Sequence, residues 1–267
     1  MCLIAFAIGA SARWPLLIAA NRDEFLDRPT LPLARWKSEA GTEIISGRDL
    51  RAGGTWMGLT AAGRIAMLTN VRGPASLTGE KSRGELITRW LDSDGDAASF
   101  MAQMEPAAYG GFNLVLGDFN SSVLHWLSNK PGPGLESRAL QPGVYGLSNG
   151  ALDTPWPKTL GLKRALDSAL TASSENAVEQ ELMAALRDRR RADREDLPST
   201  GVPLALEEAL SSAFVDFPEH GYGTRCSTVL VASAGQEGWD IALQEVTHSH
   251  RTGDVPGAQN VRLRWQT

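Results

Sequence analysis

Two cysteines, Cys2 and Cys226, in 267 residues leave no disulfide framework to build on. No apolar run approaches the roughly 18 residues that a membrane-spanning helix needs, so no integral membrane segment is expected. The apolar start, Leu3 to Ile8, is too short for a secretory signal and lacks the basic flank. With cysteine this scarce, the expected setting is a reducing cytoplasm. Positive charge is not in excess: 26 Lys and Arg stand against 31 Asp and Glu, a formal net charge of −5. That balance argues against a nucleic-acid partner, which calls for a basic face. His248 and His250 are two of only four histidines, and no further ligand cluster accompanies them, so no metal is expected. A CxxCH haem attachment motif is absent. The eight tryptophans are scattered singly, as core or pocket residues are, and not as a stacking platform.

What is present is an ordinary globular composition, 42% apolar and 21% charged. The length is enough for a sizeable core, read here as one domain over 1–267. Apolar runs and alternation predict strands over 2–8, 15–21, 43–46, 55–60, 64–70, 112–117, 122–127, 143–148, 227–233, 239–246 and 260–265. Helical periodicity covers 83–92, 96–104, 157–171, 175–188 and 203–213, with Leu160, Leu162, Leu166 and Leu170 expected close to one face. Strands segregated from helices indicate an α+β fold with mainly antiparallel sheets. The segment 187–203, RDRRRADREDLPSTGVP, reads as an exposed loop or helix end.

The stretch AANRDEF (19–25) places Asn21, Arg22, Asp23 and Glu24 where an apolar strand is expected to stop. A hairpin through residues 9–14 pairs Ile8 with Pro15 and Cys2 with Asn21, a pairing sum of 23, and so brings the quartet beside Cys2. A small second residue favours removal of Met1, which would leave Cys2 with a free α-amine able to serve as base for its own thiol. A cation such as Arg22 would lower the thiol pKa. A buried structural cysteine is the competing reading. Elsewhere, Gly53, Gly54 and Thr55 offer backbone N–H groups near Arg48 and Arg51, either an anion nest or a tight turn. Ser82 with Glu85 reads as a capping box, and Pro157 as a helix start.

NRDEF followed by RP, GRDLRAGGTWMGLT, MLTNVR, SRGELI, YGGFNLVLGD, GLSNGALDTPWPK and YGTRCSTVL together resemble the NRDE family, whose eukaryotic members are called transport and Golgi organization protein 2. The motifs run in order from Cys2 to about Leu230. That family in turn is distantly similar to cysteine N-terminal-nucleophile hydrolases. The resemblance implies a four-layer αββα sandwich. Carried over by position, it implies Cys2 as nucleophile, Asn70 and Asn149 as oxyanion donors, and Arg225 as a late arginine. The Arg-Asn-x-Asp segment of those hydrolases is matched out of step: Asn21 stands where they have Arg and Glu24 where they have Asp, while Arg22 and Asp23 carry the same groups one position off.

Two functions stay open from this reading. One is a cysteine amidohydrolase or thioesterase acting on a hydrophobic acyl substrate. The other is a non-catalytic binder of haem, acyl-coenzyme A or lipid, an amphipathic small molecule that the family resemblance implies. No cofactor is required by the first, and haem or coenzyme A would be ligands in the second.

Overall fold

The computed structural model describes residues 2–73, 79–119, 123–130, 132, 134–236, 238–250 and 256–266. Strands β1 (Cys2–Ile8) and β2 (Leu16–Phe25) form the first hairpin. Gly9, at φ +58, donates its N–H to the Pro15 carbonyl at 2.9 Å and closes the turn; glycine tolerates that left-handed conformation without Cβ strain. Pro15 has no N–H to give to a ladder, so pairing begins at Leu16, one residue later than the sequence suggested. Ile8 lies opposite Leu16 and Cys2 opposite Arg22, not Asn21. Nor does β2 stop at the polar quartet; it runs through it to Phe25.

The chain then builds a second sheet from β3 (Thr30–Lys37), β4 (Glu43–Asp49), β5 (Met57–Leu59) and β6 (Arg64–Asn70). Helices α1 (Gly84–Asp92) and α2 (Ala97–Ala102) follow, then β7 (Phe112–Asp118), β8 (Val123–Ser128) and β9 (Glu136–Ala139) complete it. Its spatial order is its chain order, β3 to β9, antiparallel throughout. β10 (Gly143–Leu147) returns to the edge of the first sheet, and α3 (Pro157–Ala169), α4 (Glu175–Leu186) and α5 (Leu204–Ala209) come next. β11 (Asp216–Phe217), β12 (Tyr222–Gly235), β13 (Gly238–Thr247) and β14 (Gly257–Trp265) finish the first sheet in the order β10-β1-β2-β12-β13-β14, with β11 on β12.

Period-two alternation sorts the core into layers. Even-numbered Ile4, Phe6, Leu16 and Ile18 meet Ile45, Met67 and Trp126 between the sheets. Odd-numbered Leu3, Ala5, Leu17 and Ala19 pack under α3 and α4, against Leu162, Leu166, Val178 and Leu182. Leu86, Ile87, Trp90 and Phe100 of α1 and α2 cover Leu68, Leu114 and Leu116 on the outer face of the second sheet. The result is the four-layer αββα sandwich. Leu160 departs from its expected face: two residues before Leu162, about 200° around the helix, it is 39% exposed. β3 and β9 were not legible because both edge the second sheet and lack an alternating apolar face; β3 carries Pro32 at a register shift, and β9 is exposed throughout.

Phe6 is fully buried between the sheets and stacks on Tyr145 at 5.4 Å. Phe6→Ala should cost about 3–5 kcal/mol, read as a lowered urea midpoint with an unchanged slope.

Candidate functional site

Alternation explains the quartet. Arg22 and Glu24 share the inner face with Cys2, while Asn21 and Asp23 face the helices. On the inner side, Arg22 Nη2 donates to Asp49 Oδ2 at 3.0 Å, Nη1 donates to Thr30 Oγ1 at 3.2 Å, and the guanidinium lies over the Trp56 ring at 4.4 Å. Arg28 Nε donates to the same Asp49 oxygen, and Glu24 approaches both arginines at 3.8 Å. Gly47 makes room for this stack, since a Cβ there would fall 2.2 Å from the Trp56 ring. Burial alone would raise the Asp49 carboxyl; hydrogen bonds from Arg28 and the Ala52 N–H, with the charges of Arg28 and Arg22, outweigh it and the net shift is downward.

Cys2 sits at the start of β1, 8% exposed, in a cleft of about 430 Å³ at the end of the two sheets. Arg22, Asp23 and Glu24 border the cleft from the first sheet, Trp56 and Asn70 from the second, and residues 79–84 from the segment entering α1. Burial pushes the Cys2 thiol above its ordinary value; Asp23 and Glu24 add to the rise and Arg22 opposes it. Arg22 is flanked by Cys2 on β1 and Cys226 on β12. Two strand spacings, about 10 Å, separate the cysteines, beyond the reach of a disulfide, and both are free. Cys226 is buried beside Glu245, and that burial and charge hold its thiol well above the usual range.

On the helix side, Asn21 Nδ2 donates to the Leu186 and Ala213 carbonyls, both at 2.8 Å, and Oδ1 accepts from Ser227 Oγ at 2.6 Å. Asn21 thus ties the C-terminus of α4 to the sheet. Asp23 Oδ1 accepts from Thr224 Oγ1 at 2.7 Å. Burial raises the Asp23 carboxyl, with Lys158 the leading opposing charge. Lys158, in the first turn of α3, is buried and donates to the Leu210 carbonyl at 2.8 Å; desolvation lowers its ammonium to about 8, against the pull of Asp23.

Asn70 and Asn149 do meet. Asn149 Nδ2 donates to the Asn70 carbonyl at 2.8 Å, and the Arg72 N–H donates to the Asn149 carbonyl at 2.7 Å. Asn70 lines the cleft, whereas Asn149 is buried behind it. Arg72 is held by a buried ion pair with Glu207 and stacks on Trp156 at 4.9 Å. Arg225 is elsewhere: at the bulge of β12, its Nη1 donates to the Phe25, Leu26 and Arg28 carbonyls and straps the β2–β3 turn. The expected capping box does not form. Glu85 N–H donates to the Ser82 carbonyl, and the Glu85 carboxylate accepts from Tyr109 Oη at 3.2 Å. Asp49 Oδ1 takes the N–H groups of Arg51 and Ala52 and so makes the turn before the Gly53–Gly54 pair. His248 Nε2 lies 2.8 Å from Ser227 Oγ, whose proton goes to Asn21. Burial, then His250, Arg187 and Arg189, lower His248 to about 4.

The residues sequence reasoning did not assign are Asp49, Trp56, Lys158 and Arg72. Their signals were present: a carboxylate before a glycine turn, and a lysine inside an otherwise apolar TPWPK helix start. Spacing alone could not say that they converge.

The family model for Transport and Golgi organisation 2 matches residues 1–241. The chain belongs to that family. The Transport and Golgi organization 2 homolog of Mus musculus is 32% identical over 251 residues, covering 88% of this chain and 89% of the relative. The Transport and Golgi organization protein 2 homolog of Homo sapiens gives the same figures. Among solved structures, a Caenorhabditis elegans N-acylethanolamine-hydrolyzing acid amidase ortholog superposes with a TM-score of 0.53 at 13% identity, covering 86% of this chain and 92% of its own. At that identity the likeness concerns the fold, and it places this Transport and Golgi organisation 2 family chain in the N-terminal-nucleophile hydrolase fold. No described helix is long and apolar enough to cross a membrane.

Asn21→Ala should cost about 1–3 kcal/mol for each of the two carbonyls it orphans, whereas Asn70→Ala, at a cleft wall, should stay within about 0.5 kcal/mol; paired urea titrations measure both. The pKa of His248, about 4 in the fold against an ordinary value near ~6.5, means the unfolded chain binds the extra proton first. The stability tied to this residue is therefore complete above about pH 6.5 and lost as pH falls toward 4. The stability difference between wild type and His248→Gln, measured across that window, should shrink on acidification.

Proposed function

We propose that this chain is a cysteine hydrolase of carboxamides or thioesters, with Cys2 as nucleophile. The observation that carries this reading is the nine-tenths-buried thiol at residue 2, in one cleft with Arg22 on the paired strand and Asn70 on the facing sheet. A protonated thiol needs a base. Removal of Met1 would supply one, because an α-amine titrates near ~7.7–8.0. In this reading the Cys2 amine takes the Sγ proton and Sγ attacks the carbonyl carbon. Asn70 donates its side-chain N–H to the developing oxyanion, a contribution of about 3–4 kcal/mol for such a donor. The amine then passes the proton to the leaving nitrogen or sulfur, and water cleaves the resulting thioester.

Arg22, fixed by Asp49 and Glu24, supplies the cation beside the sulfur. Asp23 receives the ammonium, and Asn149 and Arg72 act through Asn70 as positioning residues. Arg225 is assigned to the turn that carries Arg28. Trp56 and Leu68 offer apolar contact to an acyl group. The fold neighbour's description as an amidase supports the amide class. A reducing cytoplasm, where both thiols stay free, is the setting proposed.

A second reading, a carrier of haem or acyl-coenzyme A or another lipid, is favoured by one observation: burial raises the Cys2 thiol, and a thiol held protonated is a weak nucleophile. The two part company on Cys2. The hydrolase reading expects intact mass to begin at Cys2 and Cys2→Ala to abolish turnover of an N-acyl amide or acyl thioester. Retained Met1, or saturable haem or acyl-coenzyme A binding unaffected by Cys2→Ala with no turnover in wild type, would replace it with the carrier.

A further inference from the structure

We propose that Glu207 is a positioning residue for the oxyanion donor, setting Asn70 against Cys2 through Arg72 and Asn149. It deepens the reading above, on which the role of Asn70 rests. The short segment after β10 spans both sheets. Ser148 Oγ donates to the Cys2 carbonyl of the first sheet at 3.3 Å. On the second sheet, Asn149 Nδ2 donates to the Asn70 carbonyl, and the Gly150 carbonyl accepts from Asn113 Nδ2 of β7 at 2.8 Å. Three consecutive residues therefore space the nucleophile from the donor. With its backbone carbonyl taken in this way, Asn70 keeps its side-chain amide at the cleft wall, without a hydrogen-bond partner among the described residues.

Arg72, two residues on from Asn70, grips Asn149 twice. Its backbone N–H donates to the Asn149 carbonyl at 2.7 Å, and its Nη2 reaches Asn149 Oδ1 at 3.4 Å. The second contact is long, so the direction of the guanidinium decides whether it is made. That direction comes from Glu207, whose Oε2 accepts from Arg72 Nη1 at 2.5 Å. Trp156 covers the guanidinium at 4.9 Å, and Arg72 Nε finds no acceptor among the described residues.

Glu207 is itself fixed. Its Oε1 accepts from the Thr200 N–H at 2.9 Å and from the Thr200 hydroxyl at 2.5 Å. Lys158 Nζ, on the carbonyl of Leu210 that ends α5, ties this helix to α3. Both Trp156 and Lys158 come from the TPWPK start of α3, so that motif holds the arginine by one side chain and the carboxylate's helix by the other. Arg72 and Glu207 are nearly sealed from solvent. A buried pair of this kind adds little net stability over apolar packing; what this one supplies is the orientation of Asn149 and, through it, of Asn70.

Two reactions of Cys2 separate positioning from plain stability. p-Nitrophenyl acetate acylates the thiol: Sγ attacks the acetyl carbonyl, an oxyanion forms, the ester C–O bond breaks, and p-nitrophenolate leaves while the thiol proton goes to buffer. Iodoacetamide alkylates the same sulfur by displacement of iodide, and no oxyanion forms. Mass spectrometry locates each product at Cys2. The ratio of acylation to alkylation rates should fall about a hundredfold in Asn70→Ala. In Glu207→Gln it should fall about tenfold, as a small misplacement of the donor would give. The double variant should fall no further than Asn70→Ala, because Glu207 acts through that residue. Should Glu207→Gln not fold, Thr200→Val takes its place: it removes one bond to the carboxylate, leaves the ion pair, and should lower the ratio several-fold. An unchanged ratio in the folded variant, a parallel fall of both rates, or losses that add in the double variant overturns the positioning role. An unchanged ratio in Asn70→Ala removes the donor assignment and this inference with it, whereas a lowered ratio there beside an unchanged one in Glu207→Gln sinks this inference alone.

Discussion

The pairing of Cys2 with Arg22 is the constraint on which the rest of the site depends. A hairpin closed one residue earlier would turn Arg22 and Glu24 toward the helices and Asn21 and Asp23 toward the facing sheet. Asn21 would then lose the two carbonyls it binds, and Arg22 would lose Asp49 and the Trp56 face. Pro15 sets the register by having no N–H, and Gly9 by accepting a left-handed turn. One hairpin decides that Cys2, Arg22 and Glu24 face the second sheet and that Asn21 and Asp23 turn toward the helix layer.

Around that hairpin the polar groups are organised in two tiers that meet at β2. The inner tier is an ion-pair cluster in which one carboxylate, Asp49, receives two guanidinium groups and two backbone N–H groups. The outer tier is drier: Asp23, Lys158, Arg72 and Glu207 are all nearly sealed. Buried charges of this kind contribute little net stability but strongly resist loss of a partner, which suits them to fixing Asn70 and the start of β1 in place. Stability of the inner tier, by contrast, follows the ionisation of Asp49.

Much of the fold was legible in the sequence because the interior strands carry the pattern: β1, β6 and β7 match their apolar runs, and α3 starts at Pro157. The edge strands β3 and β9 did not announce themselves, since a strand with no buried alternating face leaves no period to read. For the site, Cys2, Arg22, Asp23, Glu24 and Asn70 were nameable from position, and they do share the cleft. Asn149 was placed in the right neighbourhood but behind its partner, because spacing cannot tell a donor facing solvent from one spent on a carbonyl. Arg225 was matched on a looser motif, and a β-bulge turns it to the β2–β3 turn. Lys158, Arg72 and Glu207 come from three distant segments whose meeting is a property of the packed layers.

The site stands on the Cys2 thiol and the Arg22 guanidinium occupying the same inner face. The most direct measurement is the thiol's apparent pKa, from the pH dependence of Cys2 alkylation by iodoacetamide in wild type and in Arg22→Gln, where Asp49 still keeps Arg28. Loss of the neighbouring cation should raise that pKa further above its ordinary value. An unchanged or lowered value would mean that the sulfur does not sense Arg22, and the site as described would not exist.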